Sequence, residues 1–186
     1  LNLVARGILW ATKHEDWPVA MPKNESFDLN SKPKPQSNAA GTGKGKVVRV
    51  PKNAATGAKV TASSEEKSKG NIAKLAIDGN PTTRWCAAGS KKGEWLQVDL
   101  GKSQDIQNVR IIWEKSNSAY QYTIEGSADG KEWKTLVDES RNKAVLQITP
   151  HRVDAKATRF FKITFLGSST GVWGSLWEFE AHTGAM

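Results

Sequence analysis

A chain of 186 residues is long enough for one domain with an appendage, and a composition of 38% hydrophobic and 25% charged residues excludes collagen-like, disulfide-built and wholly disordered proteins. The single Cys86 can form neither an internal disulfide nor a paired-cysteine metal site. The net charge of +8 is lopsided: residues 1–55 hold nine basic against four acidic side chains, spread among Pro, Gly and Asn rather than concentrated as a nucleic-acid interface would be, and that function is set aside.

In chain order, residues 2–13 place Leu3, Val4, Ile8, Leu9 and Trp10 at helical spacing, with Gly7 as a weak point. Asn2, Arg6 and Thr12 interrupt this stretch too often for a membrane span, and no other segment approaches the length of one. Leu1 stands where an initiator methionine would, so the chain is expected to be a fragment or a processed product. Residues 1–17 are read as a helical remnant of an upstream domain. Residues 18–53 carry Pro18, Pro22, Pro33, Pro35 and Pro51, the run GTGKGK and few large apolar side chains, which is the texture of a linker.

From residue 54 the pattern becomes short alternating or apolar runs separated by turn residues about every ten positions, as in an all-β sandwich. Strands are expected over 59–62, 95–100, 108–114, 120–125, 133–137, 143–148, 159–166 and 176–181. Asp129-Gly130 reads as the turn of a hairpin, because glycine tolerates positive φ and aspartate bonds to its own backbone.

Residues 76–85, AIDGNPTTRW, form an oxygen-rich loop ending in an indole. A hard cation such as calcium takes six to eight oxygens, many of them backbone carbonyls, and Asp78 is the natural charged ligand. The alternative is an Asx turn at Asp78 with Thr83 capping a strand. Among the eight tryptophans, Trp85, Trp95 and Trp113 lie in or beside apolar runs and are read as core or near-core, while Trp133 after the hairpin is expected to be half-exposed. Trp173 differs, sitting in GSSTGVWGS where small neighbours explain a large ring only if it packs or presents a flat face.

The motifs EWLQVDLG (94–101), VRIIWE (109–114), YTIEGSADGKEW (122–133), ATRFFKITF (157–165) and GSLWEFEA (174–181), following AIDGNPTTRW in this order, resemble the coagulation factor 5/8 type C, or discoidin, domain, and within it the bacterial carbohydrate-binding modules of family 32. The resemblance covers 54–183. It implies an eight-stranded jelly-roll β-sandwich whose first and last strands come together, one structural calcium, and a ligand site on the loops at one end. By the family pattern the calcium takes backbone oxygens of Leu75 and Asn80, the Asp78 carboxylate, hydroxyl and carbonyl of Thr83, the Trp177 carbonyl and the Glu178 carboxylate. The sugar platform is assigned to Trp173. Similarity to the family places its polar partners in EKSNSA (114–119) and CAAGSKKG (86–93), with Glu114, Lys115 and Asn117 nominated, and Arg84 read as a ligand or an ion-pair partner. None of His14, His151 or His182 falls in these loops, which counts against galactose. Lys91, Lys92 and Lys115 are open to two readings, attraction for an acidic sugar or a solvated lysine surface. More faintly, LVARGILWA at 3–11 resembles the last helix of ThuA-like domains.

The function expected is a non-catalytic module that binds glycan or polysaccharide and holds an attached upstream domain near it, in an extracellular, cell-surface or periplasmic setting. Its alternative is an adhesion or lipid-surface module. The chain supplies no nucleophile with a base and no acid pair free of the calcium set, so it is read as no enzyme.

Overall fold

A computed structural model describes residues 52–184. The helix expected at 2–13 and the linker at 18–53, apart from its last two residues, lie outside these. The strands are β1 (Lys59–Ala62), β2 (Trp85–Cys86), β3 (Glu94–Trp113), β4 (Tyr120–Ser127), β5 (Lys134–Asp138), β6 (Ile148–Ser168) and β7 (Ser175–His182), all paired antiparallel. The only helical elements among the described residues are short 3-10 turns, Lys67–Lys69 and Ala73–Ala76.

The two long strands make the sandwich. Pairing of β3 with β6 is regular from Glu94 to Asp99 and from Asn108 to Ile112, and slips between them at Gln104 and Ile106. Each strand therefore bends and changes layer. One layer runs β1, first half of β3, second half of β6, β4, β5; the other runs β2, β7, second half of β3, first half of β6. Counted by straight halves this is eight strands plus the two-residue β2, an all-β sandwich as expected.

Alternation fills the interior, because successive side chains of a strand face opposite ways. Leu96, Val98, Ile124, Phe161 and Ile163 from one layer meet Val109, Ile111, Leu176 and Phe179 from the other. Trp113 stacks on Tyr120 at 4.2 Å and tilts against Tyr122 at 4.8 Å, and Phe161 lies 5.9 Å from Phe179.

Three expectations need correction. Residues 143–147 form no strand; β6 begins at Ile148, and the strand continuing to Ala155 was not foreseen. β1 pairs with β3, and it is the residues just before it that reach β7, through an Asn53–His182 bridge and an Ala54 N–H donated to the Ala181 carbonyl at 2.7 Å. The link from β4 to β5 is longer than a two-residue turn, running from the Gly126–Lys134 pair through Gly130 at φ +77°, where glycine is needed.

Candidate functional site

At the end of the sandwich where β3 stops and β4 starts, a hollow of about 360 Å3 opens between loops far apart in sequence. Short main-chain bonds bring them together: Glu66 N–H to the Cys86 carbonyl at 2.8 Å, Ala87 N–H to the Gly174 carbonyl at 2.8 Å, and Glu114 N–H to the Ser175 carbonyl at 3.3 Å. These bonds hang four loops on β2 and β7, and a rigid scaffold presenting loops is where binding residues concentrate.

Trp173 stands at the rim, 39% exposed in a segment of small residues. Two carboxylates face the hollow. Glu66 is held by the Asn71 amide at 2.6 Å and the Lys69 ammonium at 2.7 Å, and these two partners, the lysine first, keep its carboxyl below the usual carboxylate range, so it stays ionised. Glu114 lies 2.9 Å from the Lys115 ammonium and 3.6 Å from Arg84 Nε. The acids are well covered, with side chains 10% and 17% exposed, whereas Lys69 and Lys115 are 69% and 47% exposed. Arg84 is fixed by position, its guanidinium lying 5.5 Å over the Trp177 ring, with Nε buried and without a hydrogen-bond partner.

The hollow thus combines one flat apolar face, two held acids, one held guanidinium and two movable ammoniums. It has no nucleophile: burial pushes the Cys86 thiol up, keeping it protonated and inert. What it can do is stack a ring and exchange hydrogen bonds with polar substituents.

Around the corner lies the oxygen-rich loop. Asp78 accepts from the Asn80 N–H at 2.9 Å and the Thr83 hydroxyl at 2.8 Å, and the same hydroxyl lies 3.1 Å from the Asn80 carbonyl. That is the Asx turn of the alternative reading, yet it does not account for Glu178. This β7 carboxyl is buried, its Oε1 meets no partner, and burial, reinforced by the neighbouring Asp78 carboxyl, pushes it up to about 7. A covered carboxyl beside a second carboxyl, with one oxygen orphaned, is what a cation's donor set looks like without its charge. No three His, Cys, Asp or Glu side chains converge among the described residues, so a cation here would rely on main-chain oxygens, which suits calcium.

Of the nominated sugar residues, Trp173, Glu114 and Lys115 line one hollow. Asn117 does not; it sits exposed in the tight turn after β3. Lys91 and Lys92 are exposed and line no part of it. Sequence reasoning missed Glu66 and Lys69, and the signal for them, the Glu66–Cys86 main-chain bond, exists only in three dimensions. Of the cation set, Asp78, Asn80 and Thr83 share one loop and Glu178 adjoins it, while Leu75 lies in the 3-10 turn entering the loop and Trp177 is half-buried beside Arg84.

Residues 59–179 match the F5/8 type C domain family. Among solved structures, chitosan-binding module 1 of a chitosanase/glucanase from Paenibacillus sp. IK-5 is 32% identical with a TM-score of 0.63, covering 70% of this chain and 98% of that module. Module 2 of the same enzyme, solved with chitotriose, is 29% identical with a TM-score of 0.62, covering 69% and 98%. The family 32 module of AlyQ, in complex with 4,5-unsaturated mannuronic acid, is 26% identical with a TM-score of 0.57, covering 66% and 92%. These neighbours are binding modules. A curated relative, the polysaccharide lyase 8 family protein HylA of Enterococcus faecalis, is 29% identical over 72 residues, 39% of this chain and only 5% of the relative's length.

Proposed function

The chain belongs to the F5/8 type C domain family, and on that premise we propose that residues 54–183 are a non-catalytic carbohydrate-binding module that keeps an attached domain on a polysaccharide. The observation that carries this is Trp173, an exposed indole at the rim of a hollow that Glu66, Lys69, Arg84, Glu114 and Lys115 also line. A pyranose ring lays its C–H face on the indole while its substituents replace lost water with side-chain contacts. The tether raises the local concentration of whatever is attached. An extracellular, cell-surface or periplasmic polysaccharide is the setting that suits it.

The charge arrangement favours an amino sugar. Glu66 and Glu114 are fixed, while the lysines neutralising them are exposed and free to swing out, so Lys69 and Lys115 stand where ligand ammoniums would. Likeness to two chitosan-binding modules supports the same class. A uronate is the second sugar reading: Arg84, Lys69 and Lys115 are three cations in the same hollow, and a neighbour holds an unsaturated mannuronate.

Calcium is proposed as a structural ion, held by backbone oxygens of Leu75, Asn80 and Trp177, hydroxyl and carbonyl of Thr83, and the carboxylates of Asp78 and Glu178. The orphaned, buried Glu178 Oε1 supports this. The ion supplies positive charge between the two carboxylates and ties the loop to β7.

Lipid attachment gains one observation. Val145 and Leu146, 52% and 41% exposed, stand in the loop before β6 at the same end as Trp173, since Asn142 bonds the Tyr120 carbonyl at 3.0 Å and the Gln147 carbonyl accepts from Trp113 at 2.8 Å.

A glycan array spanning glucosamine, uronate and neutral oligosaccharides tests the proposal, with retention on glucosamine chains expected and lost in Glu114→Gln. Retention on uronates alone shifts the ligand class; no retention on any glycan, with salt-resistant flotation on vesicles, gives the site to lipid.

A further inference from the structure

β4 leads away from the Trp173 hollow, and its last residues, Gly126 and Ser127, line a second hollow of about 420 Å3 at the opposite end of the sandwich. Its lining combines the half-buried Trp133 indole with Leu136 and Ala155, and exposed charged residues surround them: Glu132, Lys134, Asp154 and Lys156. An apolar patch with a few convergent polar groups, in a space of several hundred Å3, is the general form of a small-ligand site.

The surroundings of this hollow are held in place. Trp133 is clamped on one face by the Lys162 ammonium, 4.3 Å from the ring, and Lys162 is in turn 3.3 Å from the Glu125 carboxylate, so the indole loses little freedom on contact. The Ser127 hydroxyl accepts from Gly130 N–H at 2.9 Å and fixes the turn beside it. Gly126 lets Leu136 and Thr158 close in on the strand and form the wall: a Cβ there would meet Leu136 Cδ1 at 2.8 Å and Thr158 Cγ2 at 3.2 Å. Between the lining residues Lys156 and Thr158, Ala157 has φ +46°, the one non-glycine residue with positive φ among those described, and its N–H donates to Asp105 at 3.0 Å while Lys156 reaches the same carboxylate at 3.3 Å. Backbone strain held by specific partners beside a hollow is a pointer to a site.

We propose that this hollow is a second saccharide subsite, with Trp133 as platform, taking a neutral pyranose unit. Two acids and two lysines balance, so the rim attracts neither polyanion nor polycation, yet offers both acceptors and donors to hydroxyl groups. The ligand class rests on the carbohydrate reading above; the site does not use Trp173. β4's eight residues put the two hollows about 25 Å apart at ~3.3 Å per residue. Each therefore holds a different stretch or strand of polysaccharide, and binding to a polymer exceeds binding to a short oligosaccharide.

The test is a titration of the isotope-labelled full chain with a neutral glucan trisaccharide and with a glucosamine trisaccharide, following backbone amides. Shifts are expected in two separate groups, Lys115 with Gly171–Trp173 and Gly126–Ala128 with Ala155–Lys156. Trp173→Ala should remove the first group and leave the second. Ala128→Arg, which fills the second hollow from an exposed position without touching the Trp133 clamp, should remove the second and raise its Kd at least tenfold with an unchanged melting temperature. Shifts in the first group alone overturn this subsite and leave the module's carbohydrate reading standing. Shifts in neither overturn both.

Discussion

Two tryptophans of similar sequence prominence should behave oppositely when truncated. Trp113 is 1% exposed, stacked on Tyr120, and donates its indole N–H to Thr149 at 3.1 Å, so Trp113→Ala opens a cavity and should cost about 3–5 kcal/mol in a denaturant titration. Trp173→Ala leaves a rim position already open to water. It should move the melting temperature little and raise the Kd for the preferred glycan roughly 30-fold or more, the loss of a binding hot spot of about 2 kcal/mol. A stability loss in Trp173→Ala matching that in Trp113→Ala would make the exposed ring structural. The distinction was readable beforehand, because VRIIWE surrounds one ring with strand-forming apolar residues and GSSTGVWGS surrounds the other with glycine and hydroxyls. Trp95 was less readable: it falls in an apolar run, yet alternation turns it away from Leu96 and Val98, and it is half-buried on the outer face.

Strands carry a prediction through His151, paired with Val109 in the first half of β6. Its Nε2 lies 2.7 Å from the Tyr122 hydroxyl across the interlayer space, and burial pushes its pKa below the ordinary 6.5, against an opposing pull from Glu139. The unfolded chain therefore takes up a proton near pH 6.5 where the folded one does not. Stability is full above that pH and falls as pH drops from about 6.5 to the lower folded value, then levels for this group. His151→Gln should flatten that part of the melting profile, and an unaltered slope would assign it to other groups. This segment was also the hardest to read. The apolar run KAVLQI at 143–148 imitates a strand, but Asn142 ties the chain into a loop by accepting from Ala144 N–H at 2.8 Å and donating to the Tyr120 carbonyl. The real strand, 148–155, carries Pro150 and charged residues that read as a break; it is an edge, paired only to β3, where proline is tolerated.

Across the whole molecule, the cation loop and the hollow share a short path. Thr83 bonds Asp78, and the next residue, Arg84, stacks on Trp177 and lies 3.6 Å from Glu114; Trp177 precedes Glu178. These contacts join motifs nearly a hundred residues apart, which is why family resemblance could supply each residue but no spacing argument could supply their junction. With calcium bound as proposed, Thr83 and Trp177 are fixed and Arg84 is held beside the hollow; without it, the buried Glu178 carboxyl has no cation to answer it and both supports of Arg84 loosen. Chelation should thus lower the melting temperature, by mass action on the native state, and also weaken glycan binding about 5-fold or more, within the usual range for coupled sites. Reciprocity requires saturating glycan to tighten calcium binding by the same factor, which calorimetry of each ligand in the presence of the other measures directly. Arg84→Lys should keep the charge and lose the coupling, because an ammonium cannot stack and reach Glu114 as a planar guanidinium does. Equal glycan affinity with and without calcium would confine the ion to holding the loop against β7.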